Sequence, residues 1–499
     1  MTHPLVTDVL TSDDPWRVLI PAALNPPADA DAVAASAGES YEDADEPGRS
    51  RLVSLLRMLE GAADPVVIGL LTRHRSRDLV SLALTRRLAL PAPTLDALIA
   101  ERGLDAGTVA ALGLSGDPAR AAALGGLLGD GDVGGEAALA LARLGAREWT
   151  EAIARRLSET RGRTHVAFTV ALEEMGDPAA VPHLLDWLAH GPGLPAGDVH
   201  RALVRLTGRD PLVPEGDFSA QVRRIWRDLD LTTRPEPDVR VTADRPGRLT
   251  LTLDEGRGGV RVAYDPPEPG SSWPRWNKTL RVGGHPLYSL GSDCDTCETM
   301  MVLGGFPPAE ARVNAVRVRD ALADLRELAP ATIAALEPVV GELETGVYRA
   351  ALVGLPLERV DHPGSSWWNR RLGERAESEW EEGDGWSGTP HFQVPEPILG
   401  PVPTFGIVMP SEPLDGLDPS TVAAHSRAIA RGERPTALVL AWVEDKYVQA
   451  EWAERHLLGL VLDGHHRLAA YAGAGVPASV LLLVRTRHDG LQDEILDAL

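Results

Sequence analysis

The chain has 499 residues, of which 44% are hydrophobic and 24% charged, and its formal charge is −23. At roughly 100–200 residues per domain, this length predicts about three structural units rather than one core. The acidic charge argues against nucleic acid as a partner, and every apolar stretch is far shorter than the ~20 residues of a membrane span.

The first 50 residues are predicted to form a flexible or poorly structured segment. Between Pro26 and Pro47 the composition is rich in Ala, Asp, Glu, Ser, Gly and Pro, without apolar periodicity. The acidic start lacks the basic and apolar runs of a secretory signal, and two cysteines exclude a disulfide framework. The expected location is therefore the cytoplasm.

Residues 51–210 show helical apolar periodicity interrupted by short turns, as in Leu52, Leu55, Leu56 and Leu59. Four glycines mark these turns, with spacings of 29, 31 and 32 residues (145−116, 176−145 and 208−176). They are Gly116, Gly145, Gly176 and Gly208. Where the turn is complete, Gly is followed by Asp-Pro, in which Asp can cap the next helix and Pro suits its first position. A constant period of this length predicts stacked helix pairs.

These repeats resemble the short HEAT-like repeats of the phycobilisome-lyase type. The resemblance implies an N-terminal α-solenoid, and such arrays generally offer a surface for a protein partner. The alternative is that the array only packs against and stiffens the rest of the chain.

Residues 236–402 are predicted to form a mixed α/β region. Apolar residues alternate in the manner of strands between Val239 and Tyr264, and helical periodicity follows from Pro308 to about Gly341. The stretch from Asp361 to Pro401 is rich in Trp, Gly, Pro and acidic residues, which favours an irregular segment.

From Phe405 onward the pattern predicts strand, helix, strand, helix, strand. The apolar run Leu457–Leu462 is followed at once by a short turn and then by a helix start. The turn reads Asp463-Gly464-His465-His466-Arg467.

Gly464 permits a close backbone approach, and the amides at a helix N-terminus point toward any anion there. The guanidinium of Arg467 can donate two parallel hydrogen bonds to a phosphate, and His465 or His466 can donate a further one. Asp463 is placed to act as the N-cap of the helix. These five residues are therefore predicted to bind a phosphate group.

The turn, the following Ala474-Gly475-Val476-Pro477 and the next apolar strand resemble the phosphate-binding motif of the ParB/sulfiredoxin superfamily. Upstream, Leu417-Asp418-Pro419 and Gly432-Glu433-Arg434-Pro435 follow the same order, so the match covers about residues 403–486. The resemblance implies that residues 403–499 form an α/β domain whose Gly464, His465, His466 and Arg467 hold nucleotide phosphates. The predicted fold class is thus multidomain, α plus α/β.

The chain departs from three activities of that superfamily. The sulfinic-acid reductases have a cysteine in the turn where this chain has a histidine. The partition proteins add a basic DNA-binding domain, whereas here residues 485–499 follow the motif. The kinases use an upstream glutamate as base, and neither Glu412 nor Glu444 has their local pattern, so no catalytic residue is assigned.

Cys294 and Cys297 form a CxxC pair beside three acidic residues. These acids oppose a thiolate and favour a bound cation, so metal is preferred to redox chemistry. A structural zinc needs four ligands, which histidines such as His285, His362 or His391 would have to complete. The remaining alternatives are a redox pair and ordinary buried thiols.

Two loops share the pattern Gly-Ser-Ser-Trp, at Gly270–Trp273 and Gly364–Trp367. They are expected either to pin irregular segments to the core or to stack on a ligand held by the Gly464 turn.

Two hypotheses for function follow. The first is a protein that binds a nucleotide (ATP, ADP or CTP, with magnesium) or a phosphorylated small molecule, as a small-molecule kinase or nucleotide hydrolase, with the repeats docking a protein partner. The rival is a non-enzymatic interaction scaffold in which the turn is inherited architecture.

Overall fold

The computed structural model describes most of the chain, in two compact units. The described residues are 2–13, 15, 18–19, 22, 27–159, 164–190, 196–214, 216–232, 237–264, 277–292, 301–308, 318–366, 387–398, 402–449, 452–486 and 490–499. We call residues up to 208 together with 217–229 the helical unit. The sheet unit contains 209–216, 230–265 and 276–499. The predicted division into an N-terminal helical region and a C-terminal mixed-sheet region is confirmed.

The described part of the helical unit consists of α-helices joined by short turns. They are α1 (Pro4–Thr11), α2 (Ala30–Asp43), α3 (Glu46–Met58), α4 (Asp64–Arg73), α5 (Arg77–Thr85), α6 (Ala92–Arg102), α7 (Ala106–Leu112), α8 (Ala121–Leu127), α9 (Gly134–Arg143), α10 (Thr150–Glu159), α11 (Thr164–Met175), α12 (Val181–His190), α13 (Ala196–Thr207) and α14 (Phe218–Asp228). Along the chain α9 packs against α7, α8 and α11, and α11 against α13. Among the described residues, no helix is both long and apolar enough to cross a bilayer.

The repeat glycines share one backbone conformation. Gly116, Gly145, Gly176 and Gly208 all have φ between 60° and 67°, which is the left-handed region that favours glycine. After two of them an aspartate begins the next helical turn: the Asp117 Oδ1 accepts from the Ala119 amide at 3.0 Å, and Asp177 repeats this contact with Ala179 at 3.0 Å. The sequence period therefore corresponds to a recurring helix end.

One further helix end of this kind is closed by arginine. Arg87 lies 29 residues before Gly116 (116−87) and has φ 54°. The Leu88 amide donates to the Ala83 carbonyl at 3.0 Å, just as the Ala146 amide beside Gly145 donates to Leu141 at 3.1 Å. In both, the hydrogen bond spans six residues at the helix C-terminus, and the residue just before the donor has the left-handed conformation.

We expect Arg87→Gly to raise the free energy of unfolding by roughly 0.5–1 kcal/mol, because an exposed L-residue in the left-handed region is strained where glycine is not. Gly145→Ala should lower it by about 1 kcal/mol for the same reason. Denaturant unfolding followed by circular dichroism measures both changes. A loss of stability in Arg87→Gly would mean that the arginine side chain makes a contribution larger than the backbone strain.

Arginines also cap the C-terminal ends of neighbouring helices. The last carbonyls of a helix accept no hydrogen bond from an amide of the same helix, and they carry a partial negative charge. Four guanidinium groups bind them: Arg51 at the end of α1 (Ser12 O, 2.9 Å), Arg49 at α2 (Tyr41 O, 3.1 Å), Arg86 at α3 (Arg57 O, 2.8 Å) and Arg156 at α8 (Leu128 O, 3.1 Å). These contacts tie α3 to α1 and α2, the end of α5 to α3, and α10 to α8.

The prediction of a poorly structured segment over residues 1–50 is wrong where the structure describes it. Residues 30–43 form α2, and its Val33, Ala37 and Tyr41 are buried. A Cβ at Gly38 would lie 2.6 Å from Cγ1 of Val66, so small residues here permit close helix packing. The alanine and glycine that were interpreted as loop composition are instead the apolar face of a tightly packed helix.

The sheet unit contains a nine-stranded sheet and a four-stranded sheet. The strands are β1 (Asp238–Arg245), β2 (Arg248–Asp254), β3 (Val260–Tyr264), β4 (Asn277–Val282), β5 (His285–Ser292), β6 (Val302–Leu303), β7 (Gly346–Leu355), β8 (Glu358–Val360), β9 (His391–Gln393), β10 (Thr404–Met409), β11 (Ala437–Gln449), β12 (Trp452–Asp463) and β13 (Ala478–Arg485). The large sheet has the order β1-β2-β7-β13-β11-β12-β10-β9-β8, and the small antiparallel sheet is β3-β4-β5-β6. The pairs β10/β12 and β11/β13 are parallel, and the other pairs are antiparallel.

Both faces of the large sheet are buried, which explains the unbroken apolar runs in its central strands. In the described residues of this unit the α-helices are α15 (Pro330–Val340), α16 (Pro419–Ala430), α17 (His465–Ala474) and α18 (Leu491–Ala498). One face packs on the small sheet and α15, and the other on α17 and α18. Along β11 successive residues alternate between the two cores: Leu438 and Leu440 face one, and Val439 and Ala441 the other.

Two predicted boundaries differ from the structure. The second strand after Phe405 is a hairpin, β11 and β12, so that Glu444 lies inside β11 and not after a strand. Of the predicted helix over 308–341, Pro330–Val340 is helical and residues 319–329 form turns and irregular structure, while residues 309–317 lie outside the described part.

Candidate phosphate-binding turn

The strand, turn and helix predicted around Gly464 are present. β12 ends at Asp463 and α17 begins at His465. Gly464 is the N-cap, with φ 106° and ψ 24°, and α17 has no side-chain cap. The prediction that Asp463 is the N-cap is therefore wrong. The first amides of any helix have no acceptor within it, so those of His466 and Arg467 are directed away from α17.

Close packing fixes the residue at the cap. A Cβ at position 464 would lie 2.8 Å from both Cα and Cβ of Ala437, at the start of β11. Glycine is therefore required at position 464 both for the left-handed backbone and for the close approach to Ala437.

Arg467 binds the turn itself. Its Nη1 donates to the carbonyl of Thr436 at 2.8 Å and to Oδ2 of Asp463 at 2.7 Å, and the side chain is 7% exposed. The guanidinium that was predicted to form a fork over a phosphate is therefore engaged with the protein in this structure. Its charge is balanced by the Asp463 carboxylate.

His465 faces inward as well. Its Nε2 accepts from the Ser411 amide at 3.0 Å, so the proton is placed on Nδ1, which lies 3.2 Å from Oε1 of Glu412. The imidazole thus ties the start of α17 to the segment that follows β10. Glu412, a candidate base from the sequence, is brought to the turn by this contact.

His466 contacts the beginning of α16. Its Nε2 accepts from the Asp418 amide at 3.1 Å. The Asp418 carboxylate caps α16 by accepting from the amides of Ser420 and Thr421 at 3.1 and 3.0 Å. Hydrogen bonds from the Thr421 and Ser420 hydroxyls and amides hold the pKa of Asp418 well below its usual range. This carboxylate is thus fixed as a helix cap, and His466 is the motif side chain nearest to solvent.

A further histidine shares this electrostatic environment. Burial, followed by the charges of Arg467 and His466, lowers the pKa of His425 in α16, while Asp463 acts in the opposite direction. His425, His466 and Arg467 therefore lie in one electrostatic environment with the Asp463 carboxylate, to which Arg467 is ion-paired. Sequence reasoning missed His425, since only the packing of α16 on α17 brings it here.

The chain of contacts Ser411–His465–Glu412 has the order of a catalytic triad, in which a serine nucleophile is followed by a histidine base and an orienting acid. The Ser411 hydroxyl, however, donates to the carbonyl of Val461 at 2.7 Å and lies 3.4 Å from Nε2 of His465. That nitrogen already accepts the Ser411 amide at 3.0 Å. The arrangement therefore fixes the loop and does not activate the serine.

The predicted metal pair, Cys294 and Cys297, lies outside the described residues. Of the histidines proposed to complete a zinc site, His285 and His362 are exposed, whereas His391 is buried with Nδ1 3.1 Å from the Thr389 carbonyl. Burial lowers the pKa of His391 to about 4. In the described part of the chain, no three His, Cys, Asp or Glu side chains group as metal ligands. The zinc assignment stays a prediction.

The tryptophan loops are described only in part. Gly270–Trp273 and Trp367 lie outside the described residues, and Ser365 accepts through its carbonyl from Nε2 of Gln393 at 3.0 Å. Their role as a ligand wall stays a prediction.

Comparison of the chain with protein-family profiles, curated proteins and solved structures found no match.

Proposed function

We propose that the turn between β12 and α17 binds the phosphate group of a nucleotide or of a phosphorylated small molecule. The observation that carries this proposal is the uncapped start of α17 at Gly464, surrounded by His466, Arg467 and His425. Amides directed out of a helix start, with basic side chains beside them, are elements from which proteins build phosphate sites.

The proposal extends to the domain type. Strand, left-handed glycine and helix carry the sequence motif that resembles the ParB/sulfiredoxin superfamily, and ATP, ADP and CTP with magnesium are the ligands to test first. A small-molecule kinase or a nucleotide hydrolase is the reaction class that follows. Glu412 lies beside His465, but because its carboxylate is bound to the imidazole it is not assigned as a base.

For the helical unit we propose an array of HEAT-like repeats that docks a protein partner. Its support is the repeated left-handed helix end at Gly116, Gly145, Gly176 and Gly208, with Arg87 in the same role. Stacked repeats of this kind present extended surfaces.

His466 offers the cleanest test. We expect His466→Glu to abolish binding of ATP, ADP, CTP and inorganic phosphate, because a carboxylate in the first turn occupies the amides and repels the anion. The same change should preserve or raise stability by about 0.3–1 kcal/mol through the helix dipole. Isothermal titration calorimetry with and without magnesium measures the affinity.

The matched control is His466→Gln, which keeps an acceptor for the Asp418 amide without adding charge, and it should retain binding within about tenfold. A ligand present at 100 times its Kd should stabilise the unmutated protein by about 2.7 kcal/mol. If none of these ligands binds the unmutated protein, the proposal is wrong.

One observation favours the rival, a non-enzymatic interaction scaffold. The side chains of His465 and Arg467 are both engaged with the protein, as in a turn retained for its architecture. Nucleotide turnover by the purified chain would exclude this rival, and partner capture unaffected by His466→Glu would support it.

A further inference from the structure

The helix α18 is tied to the large sheet by ion pairs. It carries three carboxylates, and each of them pairs with an arginine of the sheet. The pairs are Asp493 with Arg349 of β7 at 3.2 Å, Glu494 with Arg455 of β12 at 2.7 Å, and Asp497 with Arg248 of β2. Arg248 also donates to the Leu496 carbonyl near the end of the helix. The acidic helix and this face of the sheet are thus complementary in charge.

Between these ion pairs α18 buries an apolar strip. Ile495 and Leu496 are 2% and 1% exposed and belong to the same core as α17. Leu491 and Leu499 pack against that core and are partly buried. The helix lies against β7 and β11. An apolar strip flanked by carboxylates is the pattern of an acidic amphipathic helix, a form in which one protein commonly binds a groove of another.

The helical state of α18 depends on its contacts with the sheet. The helix has eight residues, which is below the ~12–15 residues at which isolated helices become stable in water. Its three carboxylates are between 39% and 51% exposed, so water and salt reach the ion pairs. An element held by exposed pairs and a narrow apolar strip opens locally while the strands beneath it stay paired. We therefore expect α18 to leave the sheet without unfolding of the unit.

We call the face of the large sheet lined by Arg248, Arg349 and Arg455 the arginine face. We propose that the arginine face is a docking surface for an acidic amphipathic helix of a partner protein, and that this helix displaces α18. When α18 leaves, Arg455, whose side chain is 4% exposed, loses the carboxylate of Glu494. A partner helix that supplies carboxylates at the same spacing restores these pairs.

A longer helix has an advantage over α18 at this surface. It is more stable by itself, so less conformational freedom is lost when it binds. A nucleic acid is the less suitable occupant, because it offers no apolar strip for the core beneath α18 and is repelled by the net charge of −23.

Hydrogen exchange of the unmutated full chain tests whether α18 leaves the sheet by itself. Raising NaCl from about 50 mM to about 500 mM should lower the protection of the Ile495 and Leu496 amides about tenfold, because salt screens the exposed ion pairs. The amides of Leu440 in β11 and Leu482 in β13 should keep their protection. Equal loss in the helix and the strands, or unchanged protection of α18, would overturn the proposal.

Binding of a helix in trans tests the arginine face directly. The probe is a fluorescently labelled peptide with the sequence of residues 490–499, and fluorescence anisotropy measures its affinity for the full chain. In the unmutated chain α18 competes with the probe at a high effective concentration. The combined change Asp493→Asn, Glu494→Gln and Asp497→Asn weakens this competitor and keeps its apolar side chains. This triple variant should therefore bind the probe at least about tenfold more tightly than the unmutated chain.

The controls identify the contacts that bind the probe. A peptide with the same three neutral substitutions should bind the triple variant about tenfold more weakly than the acidic probe. Arg349→Gln, added to the triple variant, should weaken the probe, whereas Arg431→Gln alters an exposed arginine of α16's C-terminus and should not.

Three results of the binding experiment would contradict the proposal. The triple variant binds the probe no more tightly than the unmutated chain, or the neutral peptide binds as tightly as the acidic one. The third is tighter binding of a single-stranded DNA oligonucleotide than of the probe, which would assign the arginine face to a nucleic acid.

Discussion

Arg467→Ala is expected to lower the free energy of unfolding of the sheet unit by about 3 kcal/mol. The change leaves the Asp463 carboxylate, 16% exposed, and the carbonyl of Thr436 without their shared donor. Removing one partner of such a pair is costly because the other keeps its charge in a site that water reaches poorly. Denaturant unfolding monitored by tryptophan fluorescence measures the loss.

The control is Arg431→Ala, since Arg431 and Glu433 form an ion pair whose side chains are 62% and 43% exposed. That pair should contribute at most about 1 kcal/mol. Equal effects of the two changes would show that Arg467 does not hold the turn.

Ligand binding is better tested with a variant that leaves the turn folded. Loss of a nucleotide-dependent thermal shift in Arg467→Ala would follow either from a missing phosphate contact or from a collapsed turn. His466→Glu and His466→Gln avoid that ambiguity, because the hydrogen bond of the His466 side chain to the Asp418 amide lies in an exposed place and Gln can replace its acceptor.

Gly464→Ala is expected to destabilise the sheet unit by about 3 kcal/mol. The new Cβ would meet Ala437 at 2.8 Å, and the left-handed φ of 106° adds backbone strain. Because Ala437 belongs to β11, relief requires a shift of α17 away from the sheet. Thermal unfolding should show the loss directly.

Gly473→Ala in the same helix is the matched control. Nothing lies within 4 Å of a Cβ at position 473, so alanine should stabilise α17 by about 0.5–1 kcal/mol. If Gly464→Ala were tolerated as well as Gly473→Ala, the close approach described for the turn would be wrong.

The local pattern was enough to predict the turn but not its partners. The run Leu457–Leu462, the glycine and the following helix are adjacent in sequence, so periodicity and residue type locate them. Ser411, Asp418 and His425 approach the turn only through the parallel pairing of β10 with β12 and the packing of α16. No spacing rule contains that information, which is why the inward roles of His465 and Arg467 were not predicted.

The hairpin of β11 and β12 illustrates a different limit. The polar residues between Glu444 and Arg455 look like a loop, yet they pair in register, with Asp445 opposite Arg455 and Lys446 opposite Glu454. Backbone pairing continues here through residues that apolar periodicity does not mark as a strand.

In the helical unit, glycine spacing predicted the recurring left-handed helix ends where glycine is present, but not the one formed by another residue. Arg87 performs the role of glycine without its identity, and α2 buries alanines that carry little hydrophobic signal. The backbone conformation of the helix ends therefore recurs at positions where the residue type does not.

The arginines that cap α1, α2, α3 and α8 have a consequence for alkaline solution. A guanidinium keeps its proton far above the pH at which an ammonium group begins to lose it. Since lysine occurs only at positions 278 and 446, the ties from helix to helix in this unit do not depend on amines. When the pH is raised, these contacts between arginines and helix carbonyls should therefore persist well above the pH at which contacts made by lysine are lost.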